Sequence, residues 1–309
     1  MKKIYDLIII GSGPAGLCAA IYAQRAKLSC VTLERNYMSG GQVINTYEVD
    51  NYPGLPGING FDMAEQFRAH AEKLGAEFEE TEVKKIEVME DGIKKITTTK
   101  EDFYAKAIIL ATGAKHRKLS VRGEEKLAGM GVSYCATCDG AFFKNKTVAV
   151  VGGGDVAVED AIFLARGCEK VYLIHRRDEL RAAKILQEAA LAEKKIEPVW
   201  NSIVTEIAGE SKVQKIHIQN VVTKETQELS VDGVFVAVGI IPNTEVFQEL
   251  VVMDEKGYIQ AGEDGRTSRE GIFAAGDVRT KQLRQIITAA ADGANAVTAV
   301  QEYLIECKK

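Results

Sequence analysis

Short apolar runs that end in glycine-rich turns predict buried strands joined to helices. Residues 7–10 are such a run, and the turn at residues 11–16 is followed by small apolar residues at helical spacing. Residues 148–151 repeat the arrangement, with a turn at residues 152–157 and a second helical pattern. A short apolar run bounded by glycine is typical of a strand buried on both faces of a parallel sheet. The chain therefore contains two copies of one strand, turn and helix unit.

The remaining apolar runs indicate where each copy ends. Residues 108–113 and 234–239 are buried-strand patterns, and each closes one nucleotide-binding unit before the chain crosses to the other. We predict an α/β protein with two Rossmann-like three-layer (ββα) nucleotide-binding domains, the second inserted into a discontinuous first domain. The expected first domain comprises residues 1–116 and 244–309, and the inserted second domain comprises residues 117–243.

Charged residues alternate with apolar ones over residues 77–85 and around Lys94 and Lys95. Such alternation is typical of strands with one exposed face. We expect a surface β-meander in this region, with a scaffolding role only.

Composition narrows the class of protein. The chain has 309 residues, of which 46% are hydrophobic, and its formal net charge of −5 gives no global attraction to nucleic acid or anionic lipid. Lys2 and Lys3 precede an apolar run, but Asp6 interrupts that run, so we predict a first strand rather than a signal peptide. No apolar stretch approaches the ~18 to 20 residues of a membrane span. We therefore expect a cytoplasmic protein without a membrane or nucleic-acid partner.

A Cys-x-x-Cys pair is the strongest chemical signal in the sequence. Cys135 and Cys138 lie within disulfide reach of each other, and Asp139 follows them. In a cytosolic α/β protein such a pair indicates redox chemistry or a metal site. The histidines and the other cysteines supply no second ligand pair at zinc-like spacing, so we expect no metal. The residues alone do not order the two thiols, and a structural alternative for Asp139 is a turn residue before Gly140.

The two glycine-rich turns are candidate sites for the pyrophosphate of a dinucleotide. The first glycine permits the turn, the second lets the backbone approach the pyrophosphate, and a small third residue lets the helix pack closely. One such turn is weak support, whereas two copies that each follow a strand and precede a helix are specific. The candidate residues are Gly11, Ser12, Gly13, Pro14, Ala15 and Gly16 in the first turn, and Gly152, Gly154, Asp155 and Ala157 in the second.

The first copy has an acidic residue at the position where a ribose is read. The Glu34 carboxylate can accept hydrogen bonds from ribose hydroxyls and would repel a 2′-phosphate, so this copy suits FAD or NAD. Arg35, the next residue, is a further candidate contact. Far along the chain, residues 271–277 form a short apolar strand that ends in Gly276 and Asp277. The Asp277 carboxylate could bind the ribityl hydroxyls of a flavin nucleotide. The further candidates at the start of the following helix are Arg284, Gln285 and Ile286.

The second copy inverts the charge at the ribose position. A basic stretch replaces the acidic residue there and offers hydrogen-bond donors to a 2′-phosphate, so this copy is expected to prefer NADPH. As an alternative, the same residues form a solvated helix start that is paired with the acidic residues at positions 178 and 179. The candidate residues are His175, Arg176, Arg177 and Arg181.

Taken together, these motifs resemble the low-molecular-weight, bacterial-type thioredoxin reductases over essentially the whole chain. Five separated motifs agree in order, and the ensemble is far more specific than any one of them. They are residues 11–16, 40–42, 135–140 and 175–181, and Gly276-Asp277 with Arg284-Gln285. The resemblance implies a homodimeric flavoprotein oxidoreductase that binds FAD and uses NADPH to reduce the disulfide of a thioredoxin.

The resemblance also implies roles for individual residues. Cys138 would be the thiol nearest the flavin, Cys135 the thiol that attacks thioredoxin, and Asp139 the acid-base residue. Rotation of the NADPH domain against the FAD domain would bring the nicotinamide and the dithiol to the flavin in alternate half-reactions. The further flavin contacts that it implies are Gly40, Gly41, Gln42, Asn51, Val83, Ala111, Thr112 and Gly113.

Other functions use a similar fold or similar residues. A flavin-dependent dithiol oxidase would also use the cysteine pair, but it has no need of the basic stretch after the second copy's ribose position. A flavin-dependent ferredoxin-NADP reductase lacks redox cysteines. Reduction of another thiol carrier stays open, because the sequence does not name the partner. A non-catalytic redox sensor would not need every relay residue.

Overall fold

The computed structural model describes residues 3–46, 49 and 51–307. The chain divides into two compact units, with boundaries between Lys115 and His116 and between Ile240 and Ile241. We refer to the discontinuous part as the first unit and to the inserted part as the second unit. The boundaries inferred from the sequence, after residues 116 and 243, lie one and three residues later in the chain than these. Both units are α/β and Rossmann-like, each with parallel strands at its centre.

A mostly parallel sheet of seven strands forms the centre of the first unit. The order across it is β3-β2-β1-β6-β5-β4, and β17 pairs with β6. The strands are β1 (Ile4–Ile10), β2 (Cys30–Glu34), β3 (Glu77–Glu80), β4 (Val83–Val88), β5 (Lys94–Thr98), β6 (Asp102–Leu110) and β17 (Ile272–Ala274). The helices are α1 (Pro14–Arg25), α2 (Gly60–Lys73) and α6 (Ile286–Glu306), with 3₁₀ turns at Gly41–Asn45, Glu245–Phe247 and Gly276–Val278.

Burial on both faces of the sheet explains the uninterrupted apolar run of β1. Leu7 and Ile9 pack in one hydrophobic cluster with α1 and α6, whereas Ile8 and Ile10 pack in another cluster. Successive side chains of a strand point to opposite faces, so an alternating apolar and polar pattern would leave one cluster incomplete. The carboxyl end of β1 leads directly into the glycine-rich turn and α1.

Lys94 corrects the expectation of a surface meander. The meander consists of β4, β5 and β6, whereas β3 pairs in parallel with β2. Lys94 begins β5 and is only 1% exposed. Its Nζ donates hydrogen bonds to the Lys106 carbonyl oxygen at 2.7 Å and to Tyr303 Oη at 2.9 Å. Burial lowers the pKa of this ammonium group, because burial disfavours its charged form.

The second unit contains a parallel sheet in the order β11-β10-β9-β15-β8 and a separate antiparallel sheet. The parallel strands are β8 (Val132–Ser133), β9 (Thr147–Val151), β10 (Lys170–Ile174), β11 (Ile196–Val199) and β15 (Gly233–Val236). The antiparallel strands are β12 (Ser202–Ala208), β13 (Lys215–Asn220) and β14 (Thr226–Ser230). The helices are α3 (Ala136–Asp139), α4 (Asp155–Ala165) and α5 (Lys184–Ala192), with a 3₁₀ turn at Gly140–Phe143. The chain passes between the units through β7 (Ala114–His116) and β16 (Ile240–Pro242), which pair with each other.

The longest described helix, α6, spans 21 residues and packs along α1. The approach is close because Gly293 has no side chain: a Cβ there would lie 2.2 Å from the Ala15 carbonyl oxygen. Within residues 3–46, 49 and 51–307, no helix is long and apolar enough to cross a lipid bilayer.

Candidate active site

The two cysteines of the Cys-x-x-Cys pair form a disulfide across one helical turn. Cys135 is the N-cap of α3, and Cys138 lies within this helix. Their sulfurs are bonded, and their Cα atoms lie 5.3 Å apart. The Asp139 backbone N–H donates to the Cys135 carbonyl oxygen at 3.1 Å, which closes the same turn. The backbone therefore places both sulfurs and the following carboxylate on one short element, which we call the redox turn (residues 135–139).

Asp139 lies beside the disulfide as a partly buried acid. Its Oδ2 accepts a hydrogen bond of 2.6 Å from Ser133 Oγ. Its Oδ1 is buried and has no hydrogen-bond partner among the described residues. Burial raises the pKa of Asp139, and the bond from Ser133 opposes this rise only in part. A carboxyl group in this setting can carry a proton at a higher pH than a solvated aspartate, as a proton donor to a thiolate requires.

The redox turn packs against α4. A Cβ at Gly140 would lie 3.0 Å from side-chain atoms of Phe163 and Leu164, so the chain passes close to this helix. The same helix carries Asp160, whose pKa burial and the neighbouring Glu159 raise to about 7. Asp160 has no signal in the sequence, because an acidic residue in a helix gives no sign of its burial.

In the first glycine-rich turn, the glycines have different surroundings. A Cβ at Gly11 would lie 2.5 Å from the Ala111 carbonyl oxygen, and one at Gly16 would lie 1.9 Å from the Gly11 carbonyl oxygen. Nothing lies within 4 Å of a Cβ at Gly13, the N-cap residue of α1. Gly11 and Gly16 thus serve the fold, whereas the backbone at Gly13 faces open space. This open backbone at a helix start fits the approach of a pyrophosphate.

Glu34, the candidate ribose reader, is engaged by protein donors. Its Oε2 accepts hydrogen bonds from Ser12 N and Ser12 Oγ, both at 2.8 Å. Its Oε1 accepts from Asn36 N at 2.9 Å and Asn36 Nδ2 at 3.0 Å. The carboxylate is therefore oriented against the turn, and a ribose hydroxyl would share it with these donors. The adjacent Arg35 is exposed.

Residues 40–42 lie against the first turn. The Gly40 N–H donates to the Ser12 carbonyl oxygen at 2.7 Å, and a Cβ at Gly41 would lie 3.4 Å from Gly13 Cα. Gln42 Nε2 donates to the Ala114 carbonyl oxygen. Gly40 has a φ of 118°, a backbone conformation that favours glycine. The residues that line one small pocket here include Pro14, Gly40 and Ile286.

Two further contacts bring candidate flavin residues together across long stretches of chain. Asn51 Nδ2 donates to Gln285 Oε1 at 3.0 Å. Thr112 Oγ1 donates to the Asn243 carbonyl oxygen at 2.7 Å, and Asn243 Nδ2 donates back to the Thr112 carbonyl oxygen at 2.9 Å. The Thr112 hydroxyl proton is therefore already engaged. The remaining candidates here are Val83, buried in a hydrophobic cluster, and Gly113, whose carbonyl oxygen accepts from Asn243 N.

The Gly276-Asp277 loop meets the first turn as well. A Cβ at Gly276 would lie 2.9 Å from Ala15 Cβ. Asp277 Oδ1 and Arg284 Nε are buried polar atoms without a hydrogen-bond partner among the described residues. Burial raises the pKa of Asp277, while Lys281 and Arg284 act in the opposite direction. Unpartnered buried acceptors and donors usually have a ligand or water, so these atoms fit the hydroxyls and polar edge of a bound flavin nucleotide.

A buried ion cluster behind this loop was missed by sequence analysis. Asp292 accepts hydrogen bonds from Arg279 Nη2 at 2.6 Å and from Lys281 Nζ at 2.8 Å. The Gly276 N–H also donates to Asp292, at 2.8 Å. Asp292 lies in the small-residue helix α6, where one acidic residue gives no signal of burial. The burial of Asp292 would have been predictable only from its contact in space with Gly276, which the sequence does not show.

The second glycine-rich turn divides its glycines in the same way. A Cβ at Gly152 would lie 2.5 Å from the Ala237 carbonyl oxygen, whereas nothing lies within 4 Å of one at Gly154. Ala157 is fully buried. Asp155 Oδ1 accepts from Ala183 N at 2.8 Å, so this carboxylate orders the loop before α5. Gly154 therefore offers the open backbone in this unit.

His175 is buried against the second turn. A Cβ at Gly153 would lie 2.2 Å from His175 Nδ1, so only glycine leaves room for the ring. Burial and the nearby Arg181, Arg177 and Arg176 lower the pKa of His175. The imidazole is therefore neutral near pH 7. The positive charge of this site comes from the arginines.

The three arginines are exposed and lie between β10 and α5. The described residues include no ion pair between them and the acidic residues at positions 178 and 179, and α5 begins only at Lys184. The basic stretch therefore lies before the helix in the described part of the chain. The Arg181 N–H donates to the Gly153 carbonyl oxygen at 2.7 Å, which ties this basic stretch to the glycine-rich turn.

Among residues 3–46, 49 and 51–307, no three His, Cys, Asp or Glu residues form a group that could hold a metal ion.

Known proteins match this chain over nearly its whole length. The sequence profile of the pyridine nucleotide-disulphide oxidoreductase family matches residues 5–293. A protein named thioredoxin reductase from Listeria innocua is 48% identical over 309 residues, which cover 100% of this chain and 96% of the relative. A protein of the same name from Bacillus subtilis is 45% identical, with coverage of 100% and 97%.

A solved structure gives the same result for the fold. The crystal structure of thioredoxin reductase from Streptococcus pyogenes is 46% identical and superposes with a TM-score of 0.93, covering 99% of this chain and 100% of that one. The chain belongs to the pyridine nucleotide-disulphide oxidoreductase family.

Proposed function

We propose that this chain is an NADPH-dependent thioredoxin reductase, a flavoprotein that transfers electrons from NADPH through FAD to a thioredoxin disulfide. The observation that carries the proposal is the redox turn, in which Cys135, Cys138 and the partly buried acid Asp139 share one helical turn. The relatives named thioredoxin reductase support it, since they match the chain from end to end.

FAD is assigned to the first unit. The open backbone at Gly13 would receive the pyrophosphate, Glu34 a ribose and Asp277 the ribityl hydroxyls. Residues 40–42, the Asn51–Gln285 pair and residues 111–113 would lie along the ring system. When bound, FAD supplies the ability to accept a hydride from NADPH and to pass the electron pair to a disulfide.

NADPH is assigned to the second unit. The open backbone at Gly154 would receive its pyrophosphate. Arg176, Arg177 and Arg181 would hold the 2′-phosphate, because exposed guanidinium groups are suited to bidentate phosphate binding and the described residues supply no carboxylate partner for them. His175, neutral and packed on Gly153, would fix the shape of the pocket rather than its charge.

The dithiol chemistry follows from the redox turn. Two electrons cleave the Cys135–Cys138 bond and leave two thiolates, and Asp139 delivers a proton to the Cys138 thiolate. The Cys135 thiolate then attacks the thioredoxin disulfide, forms a mixed disulfide and releases one thioredoxin thiolate. Asp139 takes the proton back from the Cys138 thiol, and the Cys138 thiolate attacks the Cys135 sulfur, which releases the second thioredoxin thiolate and re-forms the internal disulfide. The two thioredoxin thiolates take up two protons from solvent, and Asp139 ends the cycle protonated as it began.

Three further features belong to the proposal. The dithiol must meet both a flavin and a bulky protein disulfide, so the second unit is proposed to rotate on the two connecting segments between half-reactions. The enzyme is proposed to act as a homodimer, as the resemblance implies. A cytoplasmic location is proposed because Cys18, Cys30 and Cys168 are not paired in disulfides, which suits a reducing compartment.

The test is an anaerobic absorbance titration of the flavin-loaded protein. NADPH should bleach the flavin, and oxidised thioredoxin should restore its absorbance. Cys135→Ser and Cys138→Ser should each abolish the recovery, whereas Cys168→Ser, a buried cysteine of the same unit, should not. Recovery with oxygen or a small disulfide but not with thioredoxin would move the function to a dithiol oxidase or to another carrier.

A further inference from the structure

Ser133 contacts both ends of the redox turn. It is the last residue of β8 and is 5% exposed. Its Oγ accepts a hydrogen bond from the Cys135 N–H at 3.1 Å. The same oxygen lies 2.6 Å from Asp139 Oδ2 and 3.3 Å from the Cys135 carbonyl oxygen, and it can donate to either. One hydroxyl therefore connects the acid of the redox turn with the backbone of its first cysteine.

The proton count at Ser133 decides what these contacts can do. A hydroxyl has one proton to donate and two lone pairs that accept. The Cys135 N–H occupies one lone pair. When Asp139 is ionised, the hydroxyl proton points to Oδ2. When Asp139 is protonated on Oδ2, the acid can donate to the second lone pair, and the Ser133 proton can turn to the Cys135 carbonyl oxygen.

We propose that Ser133 is a positioning residue that holds Asp139 in both of its protonation states by reversing the direction of their hydrogen bond. The inference rests on the proposed function, in which Asp139 gains and loses a proton during each turnover. No covalent bond changes at Ser133, and no net proton passes through it. Its hydroxyl rotates, so neither protonation state of the acid leaves a buried polar atom of this contact without a partner.

The surroundings of Asp139 make this contact important. Oδ1 has no hydrogen-bond partner among the described residues, so Ser133 is the side-chain donor to the carboxylate there. Burial raises the pKa of Asp139, and the Ser133 bond lowers it. Loss of the hydroxyl would remove the stabilisation of the ionised form while burial remained. The acid would then hold its proton to a higher pH.

The titration of Asp139 must be distinguished from the titrations of other groups near the redox turn. The 3₁₀ turn Gly140–Phe143 and β15 carry none. Helix α4, which packs against the redox turn, carries Asp155, Glu159 and Asp160. Asp160 is the group to control, since burial and Glu159 raise its pKa to about 7. Tyr134, beside Ser133, donates its hydroxyl to Glu124 at 2.9 Å.

The experiment follows the infrared carboxyl band of protonated Asp139 as a function of pH in the oxidised, flavin-loaded protein. The measurement needs neither turnover nor thioredoxin. The band is assigned by its loss in Asp139→Asn, and all variants carry Asp160→Asn to remove the second titration. Ser133→Ala should raise the midpoint by about one pH unit, equivalent to a tenfold change in the ratio of ionised to protonated acid. Ser133→Thr, which keeps the hydroxyl, should restore it.

The matched control is Ser202→Ala. Ser202 is also 5% exposed in the second unit, and its hydroxyl donates to the Trp200 carbonyl oxygen at 2.8 Å. This variant should leave the Asp139 midpoint unchanged. An unshifted midpoint in a folded Ser133→Ala protein would overturn the inference. If thioredoxin reduction also persisted in that protein, the proposed function would stand without it.

A second measurement tests the reversal without altering Ser133. Cysteine labelled with ¹³C at its carbonyl would move the carbonyl bands of all six cysteines away from the unlabelled backbone. The Cys135 band is then the one that is lost from this set in Cys135→Ser. In the protein with Ser133 intact, this band should move to lower frequency as Asp139 is protonated, because the carbonyl gains a hydrogen bond. The change should be missing in Asp139→Asn. A band that stays fixed while Asp139 titrates would refute the reversal.

Discussion

Arg279 and Asp292 form a buried ion pair, with 2.6 Å between Arg279 Nη2 and Asp292 Oδ1 and side-chain exposures of 3% and 5%. Lys281 Nζ lies 2.8 Å from the other oxygen of the same carboxylate, which also accepts the Gly276 N–H. Helix α6 thus fixes the loop that carries Asp277. The pair contributes to the candidate flavin site although neither partner is expected to touch the flavin.

Removal of the Asp292 carboxylate should be strongly destabilising. Asp292→Ala leaves two buried cations without their anion, and breaking a buried pair in this way costs about 3 to 5 kcal/mol. Chemical unfolding of the purified apoprotein measures the loss, and flavin content after expression should fall with it. The matched control is Glu302→Ala on the same helix, since Glu302 meets Arg266 at the surface. A control that lost as much stability would show that α6 tolerates no substitution.

The Asp292 carboxylate also makes the stability of the folded protein depend on pH. Burial would raise the pKa of Asp292, but the hydrogen bonds from Arg279 and Lys281 outweigh it and hold the pKa below the ordinary 3.8. A lowered folded pKa stabilises the native state above the unfolded value, and this stabilisation is lost as the pH falls through the folded value. Unfolding midpoints should therefore decline below about pH 4 in the wild type. In Asp292→Asn the decline over this range should be shallower.

The two glycines of the first turn predict opposite results for one substitution. Gly13→Ala should fold with nearly normal stability, since its Cβ meets nothing within 4 Å and its φ of −70° suits alanine. The protein should bind flavin poorly, because the methyl group would occupy the space proposed for the pyrophosphate. Thermal unfolding of the apoprotein and fluorescence titration with FAD measure the two effects separately. Unchanged FAD affinity would mean that the phosphates lie elsewhere.

Gly16→Ala is the counterpart. Its Cβ would lie 1.9 Å from the Gly11 carbonyl oxygen, so the strand, turn and helix could not keep their present spacing. We expect loss of soluble protein or a large fall in the unfolding midpoint before any effect on FAD can be measured. A stable Gly16→Ala protein with normal flavin content would show that the turn can widen.

The elements that depend on local pattern can be predicted from the sequence. The apolar runs of β1 and β9, the glycine-rich turns and the Cys-x-x-Cys pair each depend on neighbouring residues, so their signals stand in the sequence. The roles of Lys94 and Asp292 depend on partners far along the chain. Charged residues are exposed in most proteins, so a sequence gives no reason to expect these two to be buried. Ser133 escaped notice although its partners Cys135 and Asp139 are near in sequence, because a serine at the end of a strand gives no sign of which groups its hydroxyl contacts.

For His175, the sequence predicted the position of the residue but not its protonation state. Its place after β10 made it a candidate for the ribose position, but its protonation state depends on burial against Gly153 and on the arginines around it. Its neutrality follows only from the packing, which spacing along the chain does not reveal.

The arginines should decide coenzyme preference. Arg176→Ala with Arg177→Ala should raise the KM for NADPH by well over tenfold while changing the KM for NADH little, since each charge-assisted contact contributes about 1.5 to 3 kcal/mol. Steady-state kinetics with both coenzymes measure the split. Arg166→Ala, an exposed arginine of the same unit, is the control and should change neither value. Equal losses with NADPH and NADH would assign the arginines a structural role.

Cysteine reactivity should separate the redox pair from the other thiols. Burial raises the pKa of Cys18 to about 11 and also raises the pKa values of Cys30 and Cys168, so these thiols are protonated and slow to react near pH 8. Cys307 is exposed. Iodoacetamide should therefore label Cys307 alone in the oxidised protein, as peptide mass spectrometry would show.

Reduction should add the redox pair to the labelled residues and nothing else. After one equivalent of NADPH under anaerobic conditions, Cys135 should be alkylated faster than Cys138 if it is the thiol that attacks thioredoxin. Alkylation of Cys135 should end thioredoxin reduction, whereas Cys307→Ser should leave turnover intact. Faster labelling of Cys138 would reverse the order of the two thiols in the proposed mechanism, because the thiol that attacks a protein disulfide must be the more accessible and more reactive of the two.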